Sequence, residues 1–176
     1  MLSGDRTVTL APSRNQIYIS HGQVHIYPVG TQIPECAWTS QHLKQGFVRR
    51  DDAAGVLSLI EFGDADIQVS TQNASSEGFQ RVIAISVRCP DGILRIDAAE
   101  SGRPAVFVRD QPGCWRLVIA QRLVAAEHQV MRITYSIEGA FRPSEIITAD
   151  ANMSPVVLLD DAQPFMYPCN DDSSTQ

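Results

Sequence analysis

The fold is decided by the stretch Phe79-Gln80-Arg81-Val82-Ile83-Ala84-Ile85-Ser86-Val87-Arg88-Cys89-Pro90-Asp91-Gly92-Ile93-Leu94-Arg95-Ile96. Phe79, Ile83, Ile85 and Val87 share one phase of a period-two pattern with Arg81, and Val82 and Ala84 take the other. Successive side chains of a strand point to opposite faces, so the alternation predicts a strand with one face on a core. Cys89-Pro90-Asp91-Gly92 predicts a turn, because proline presets the first central residue and Asp-Gly tolerates positive φ. Ile93 to Ile96 returns as the next strand.

The same pattern extends in both directions. Downstream, Arg103 to Val108 is followed by the turn Asp110-Gln111-Pro112-Gly113 and a strand from Cys114 to Leu123. That strand puts Trp115, Leu117 and Ile119 on one side and Arg116, Val118 and Ala120 on the other. From Val130 to Ile137, Met131, Ile133, Tyr135 and Ile137 point inward between Arg132, Thr134 and Ser136. Upstream, Val56 to Phe62 reads as a strand, Gly63-Asp64-Ala65-Asp66 as a turn and Ile67 to Val69 as a strand, together a hairpin with an acidic tip. Ile17 to Tyr27 is strand-like with a phase shift across His21-Gly22, which predicts a bulge or sharp bend. Thr7 to Leu10 is a short alternating run, an edge strand or a loose end.

One segment departs from this pattern. In Trp38-Thr39-Ser40-Gln41-His42-Leu43-Lys44-Gln45-Gly46-Phe47, Thr39 is a helix N-cap and Gly46 a stop just past the end. A helix so short needs tertiary packing, and Trp38 and Phe47 would supply it. His42 and Lys44 take its more polar positions. The expected class is all-β with antiparallel pairing, about eight strands and one short helix over residues 39–46. The arrangement is a sandwich or a barrel, and the sandwich is preferred. Composition shifts after Gly139, dividing the chain into a β-sandwich domain over 1–138 and a C-terminal extension over 139–176. Residues 155–159 read as one last strand, and 160–176 as a loosely attached acidic tail.

Composition narrows the function. Hydrophobic residues make up 44% of the 176-residue chain, enough for a core. No apolar run reaches the roughly 18–20 residues of a membrane span. The start Met-Leu-Ser-Gly-Asp-Arg lacks the basic and apolar blocks of a signal peptide. The expectation is a cytoplasmic protein with no membrane partner. The net charge of -6 argues against direct nucleic-acid binding and fits a basic protein partner. Cys36, Cys89, Cys114 and Cys169 are widely spaced with no Cys-x-x-Cys pair, so free thiols are expected rather than a disulfide framework or a zinc knuckle.

Catalytic patterns are missing from the sequence. There is no Gly-x-Ser-x-Gly, no phosphate-binding glycine loop and no cysteine beside a histidine. His21 and His25 straddle the phase shift, where a bulge would bring them to one face, but metal binding needs a third ligand. The expectation is no enzyme, no cofactor and no metal. Carboxylates cluster at Asp51-Asp52, Asp64 with Asp66, and Asp160-Asp161, as solvated loops or as an acidic contact surface for a cationic partner.

The order of these features resembles the ComJ family of DNA-entry nuclease inhibitors. Ile17 to Tyr27 is similar to the family's opening strand, with its apolar-Ser-aromatic-x-Gln pattern. Trp38 to Phe47 is similar to its Trp-Thr-Asp-x-x-apolar-x-x-Gly-aromatic segment, with Ser40 where the family tends to have Asp. Arg81 to Ile96 and the Gly113-x-Trp-x-Leu strand keep the family order, and the resemblance covers residues 16–138. It implies a protein inhibitor, or immunity protein, that binds a cognate bacterial DNase in a 1:1 complex. Carboxylates on a rigid scaffold would occupy a site built for polyanionic DNA. The contact candidates are Arg49, Arg50, Asp51, Asp52, Glu61, Asp64 and Asp66. Two other readings stand beside it: a small β-barrel metal-binding enzyme using His21 and His25, and an adaptor that binds a peptide on a strand edge.

Overall fold

The computed structural model describes residues 15–72, 74–98, 105–154 and 157–166. Among the described residues there are eleven strands and one helix. In chain order they are β1 (Gln16–Ile19), β2 (Gln23–Pro28), α1 (Ser40–Gln45), β3 (Phe47–Arg50), β4 (Ala53–Leu57) and β5 (Gly63–Ser70). Then follow β6 (Arg81–Cys89), β7 (Ile93–Ala98), β8 (Val106–Arg109), β9 (Gly113–Ala125), β10 (His128–Glu138) and β11 (Glu145–Thr148). A six-stranded sheet runs β1-β5-β10-β9-β6-β11 and a five-stranded sheet runs β3-β4-β2-β7-β8. Every pairing is antiparallel except β5 with β10, which is parallel.

One continuous core lies between the sheets, as expected of a sandwich. Ile17, Ile67, Ile83, Ile85, Trp115, Leu117 and Met131 enter from the larger sheet, and Val24, Ile26, Val56, Leu94 and Ile96 from the smaller. Within β6 and β9 the inward phases read from the sequence are the observed ones, but Phe79, read in phase with Ile83, precedes β6 and packs instead with Val82, Ala120 and Val130 in a separate cluster. In β10, Met131, Ile133 and Tyr135 are buried, and Tyr135 stacks on Trp115 with ring centroids 4.7 Å apart. Ile137 is exposed instead, one residue before the end of the strand.

The turns work differently from their sequence reading. The Pro90-Asp91-Gly92 turn joins β6 in one sheet to β7 in the other. His21 and Gly22, with φ of 59° and 64°, form the sharp bend at which the chain passes from β1 to β2, also between sheets. The hairpin expected between Val56 and Val69 does not form. β4 ends at Leu57, residues 58–62 cross to the other sheet, and β5 already begins at Gly63. Asp64 and Asp66 therefore lie within a strand, not on a tip.

The helix forms where the caps place it. Thr39 Oγ1 accepts from the His42 amide at 3.4 Å, and His42 Nδ1 accepts from the Thr39 amide at 3.2 Å. This reciprocal box satisfies two orphan first-turn donors. Gly46 closes the helix in the left-handed conformation. Phe47 is fully buried, and Trp38 packs against Tyr27, Cys36, Val48 and Ala53. His42, expected on a polar face, is buried. Burial lowers its pKa, opposed by a backbone contact at Asp161.

The segment after Gly139 is joined to the sandwich. β11 pairs with β6 at the sheet edge, a strand absent from the sequence reading. Asp150 pairs with the buried Arg81 at 2.6 Å. The buried Gln45 side chain donates to the Leu159 carbonyl and accepts from its amide, at 3.0 and 2.9 Å. Residues 157–159 are not strand, and 155 and 156 lie outside the described residues. Residues 160–166 are held rather than loose: Ser144 donates to the Asp160 carboxylate, and Ala37 donates to the Gln163 carbonyl. The Thr7–Leu10 run, Cys169 and residues 167–176 also lie outside the described residues.

Candidate functional site

The seven contact candidates fall at two separate ends of the sandwich. Asp51 sits in the β3–β4 turn, beside the β6–β7 turn, where the Arg88 amide donates to the Asp51 carbonyl. Glu61, Asp64 and Asp66 sit at the other end, next to the β9–β10 turn, where the Asp64 amide donates to the Glu127 carbonyl. β6 runs between these ends. Its seven steps from Arg81 to Arg88, at about 3.3 Å each, put roughly 23 Å between them.

The two arginines at the first end are structural. Arg49 is buried on β3. Its Nε donates to the Ser86 carbonyl and a terminal nitrogen to the Asp160 carbonyl, both at 2.7 Å. Its guanidinium lies over the Phe141 ring, 4.8 Å from the centroid. Arg49 thus ties β3 to β6 and to the C-terminal segment. Arg50 pairs with Asp52 at 2.6 Å and donates to the Ile33 carbonyl. Asp51 lies 3.6 Å from Arg49 and 4.0 Å from Arg88, with a side chain 67% exposed. A guanidinium thus faces each carboxylate of the Asp51-Asp52 turn.

At the second end the carboxylates are less compensated. Among the described residues Glu61, Asp64 and Glu127 make no ion pair, and Asp66 is met by His128 at 3.0 Å and by the Gln16 amide. Asp64 and Asp66 point outward because Ala65 and Ile67, in the opposite phase, are buried. Phe62 stands beside Glu61 with 46% of its surface exposed, its ring edge-on to His21 at 5.7 Å. Gly63 makes this approach possible. Its φ is 133°, and a Cβ there would lie 2.1 Å from the Glu127 carbonyl oxygen. Only glycine lets β5 start against the β9–β10 turn. The result is an exposed aromatic ring beside carboxylates, the make-up of a contact with a cationic surface. Phe62 was missed in the sequence because it was assigned to a strand; its place after the β4 pattern breaks at Ser58 was the available signal.

The histidines do not converge. His21 is exposed at the sheet-to-sheet bend, whereas His25 is buried on β2 between Gly55 and Asp97. Burial lowers the His25 pKa, and the charges of Asp97 and Glu35 oppose that shift. Asp97 is itself occupied, accepting from the Tyr27 hydroxyl and from Arg95 Nε, each at 2.8 Å. Among the described residues no group of three or more His, Cys, Asp or Glu is placed to hold a metal ion. Cys36, Cys89 and Cys114 are free and buried. Burial pushes the Cys36 thiol up to about 11 and the Cys89 thiol up to about 12, which keeps them protonated and unreactive. No helix among the described residues is long and apolar enough to cross a membrane.

Comparison with known proteins adds a relationship to this geometry. The family model for competence protein J (ComJ) matches residues 16–137. Among solved structures, the chain is similar to ComJ from Bacillus subtilis, described as an inhibitor of the DNA-degrading activity of NucA. The TM-score is 0.55 at 11% identity, over 69% of this chain and 93% of that one. It is also similar to a protein described as crocagin biosynthetic gene J, with a TM-score of 0.41 at 10% identity, over 68% of this chain and 95% of that one. No curated protein matches the chain.

Proposed function

The chain belongs to the competence protein J family, and from that premise we propose that it is a protein inhibitor that binds a bacterial DNase one-to-one and blocks it without catalysis of its own. The Bacillus subtilis relative of the same fold is described as an inhibitor of the DNA-degrading activity of NucA. The observation that carries the reading to particular residues is the set of weakly compensated carboxylates of Glu61, Asp64 and Asp66 beside the exposed Phe62. A nuclease holds polyanionic DNA in a basic groove. Carboxylates on β5 and on the crossing just before it offer that groove a competing anion, which speeds encounter. Phe62 supplies the apolar anchor that slows dissociation. Asp51 and Asp52 remain candidates of a second order, because each already faces an arginine. Arg49 and Arg50 act in this reading by holding the scaffold.

The test is a cleavage assay. The purified full chain is mixed with the DNase encoded beside it, and plasmid degradation is followed. The expected result is loss of cleavage near equimolar inhibitor. Undiminished cleavage at saturating inhibitor, across the nucleases encoded nearby, would contradict the reading.

A further inference from the structure

Gln129 stands on β10 in the inward phase of Met131 and Ile133, and none of its surface is exposed. Leu123 on β9 lies opposite it, and the diagonal neighbour on the same face is Gln121, also fully buried. A carboxamide in such a place costs stability unless it is hydrogen-bonded. Gln129 meets half of that need. Its Oε1 accepts from the Leu59 amide at 3.0 Å, and its Nε2 has no partner among the described residues. Gln121 meets none of it, since neither its Oε1 nor its Nε2 is paired. A methionine at position 129 would fill similar space without an unmet donor. It could not accept from Leu59, which is 70 residues away in the chain.

Leu59 belongs to the crossing over residues 58–62, just ahead of Glu61 and Phe62. The crossing is fastened to the β1–β2 bend, where the Ser58 amide donates to the Gly22 carbonyl at 2.8 Å and the Gly22 amide donates to the Glu61 carbonyl at 2.9 Å. The Gln129 bond fastens it to the larger sheet, on the strand that borders β5. We propose that Gln129 is a positioning residue for the contact made by Glu61 and Phe62, a role that rests on the inhibitor reading of that end. Without its carboxamide the Leu59 amide loses its acceptor, and the crossing pivots on the Gly22 bonds. Phe62 then has to be ordered at the moment of binding, which weakens the complex. Attraction by the carboxylates acts over several ångströms and survives the change, so the loss falls on dissociation rather than association.

The test compares the native full chain with Gln129→Met and Gln121→Met. Three quantities are read: Tm, amide hydrogen exchange residue by residue by NMR, and the rates at which the DNase encoded beside the chain binds and leaves. In the native chain the Leu59 amide should be protected from exchange. Gln129→Met should keep Tm within about 5 °C of native, because an unmet donor goes together with the acceptor. It should speed Leu59 exchange at least about tenfold while the β6 and β9 amides stay as protected as before. Dissociation of the nuclease should quicken about tenfold at unchanged association. Gln121→Met, which removes no bond to the crossing, should leave Leu59 exchange and both rates as they are. An unprotected Leu59 amide in the native chain overturns the proposal alone, as does native Leu59 exchange or native dissociation in Gln129→Met. Equal loosening by Gln121→Met also overturns it. A native chain that binds no nuclease overturns the inhibitor reading, and the proposal with it.

Discussion

Replacing Arg49 by methionine tests whether the segment after Gly139 is a working part of the sandwich. Methionine keeps most of the apolar stem and removes the guanidinium. Two hydrogen bonds from a charged donor are lost, to the Ser86 and Asp160 carbonyls, both 2.7 Å long. The Arg49 side chain is only 6% exposed, so water does not replace them freely. At about 1.5 kcal/mol each, the loss is about 3 kcal/mol. The ion pairs add little, because the Asp160 and Asp51 side chains are 36% and 67% exposed. For a chain of 176 residues that corresponds to a fall in Tm of roughly 6–12 °C. Urea denaturation should show a lower midpoint at unchanged slope. Arg49→Lys should recover less than half, since a single ammonium cannot span both carbonyls. A loss for Arg49→Met below about 0.5 kcal/mol, the range of ordinary surface changes, would refute the role given to this residue.

Three further expectations follow from particular contacts. Gly63→Ala forces a Cβ against the Glu127 carbonyl, so it should cost more than about 1 kcal/mol in denaturation midpoint and weaken nuclease inhibition; native values for both would contradict the packing. The folded state disfavours protonated His25 and His42, while the unfolded chain takes up protons as pH falls through 6.5. Their contribution is present above that pH and lost below it, so the urea midpoint should fall between pH of about 7.5 and 5.5, and His25→Gln should narrow the gap. In a Cys169→Ser background, a thiol reagent at pH of about 8 should modify Cys36, Cys89 and Cys114 only after denaturant is added; rapid reaction of the native protein would contradict their burial.

The sequence carried most of the strands, the helix and the class through local physics, but not β3, whose Phe47–Arg50 run shows no alternation, nor β11. Period-two alternation reports which side chains face inward, so the core positions of β6 and β9 were readable residue by residue. Thr39 and Gly46 act within one turn of chain, so the helix ends were readable as well. Alternation does not report which sheet a strand joins. A turn such as Cys89 to Gly92 serves a hairpin or a crossing between sheets equally, and here it crosses. The same ambiguity made Val56 to Val69 read as a hairpin, with Asp64 and Asp66 at a tip they do not occupy. β11 was hidden because a four-residue strand at a sheet edge, half exposed, has almost no pattern of its own. Arg49 looked like a surface charge because its partners are backbone carbonyls of Ser86 and Asp160, which leave no mark on side-chain spacing. The acidic residues were correctly seen as clusters. Which of them are compensated depends on where side chains point, with Arg49 and Arg50 turning to Asp51 and Asp52 two residues on and Arg88 reaching Asp51 from another strand.

The most direct test of the central claim compares the two ends of the sandwich in one nuclease assay. One variant carries Glu61→Gln, Asp64→Asn and Asp66→Asn, and the other carries Asp51→Asn and Asp52→Asn. The account predicts that the first loses inhibition at least tenfold, through slower association that becomes less sensitive to salt, while the second inhibits nearly as the native chain does. Full inhibition by the first variant, or loss confined to the second, would contradict it.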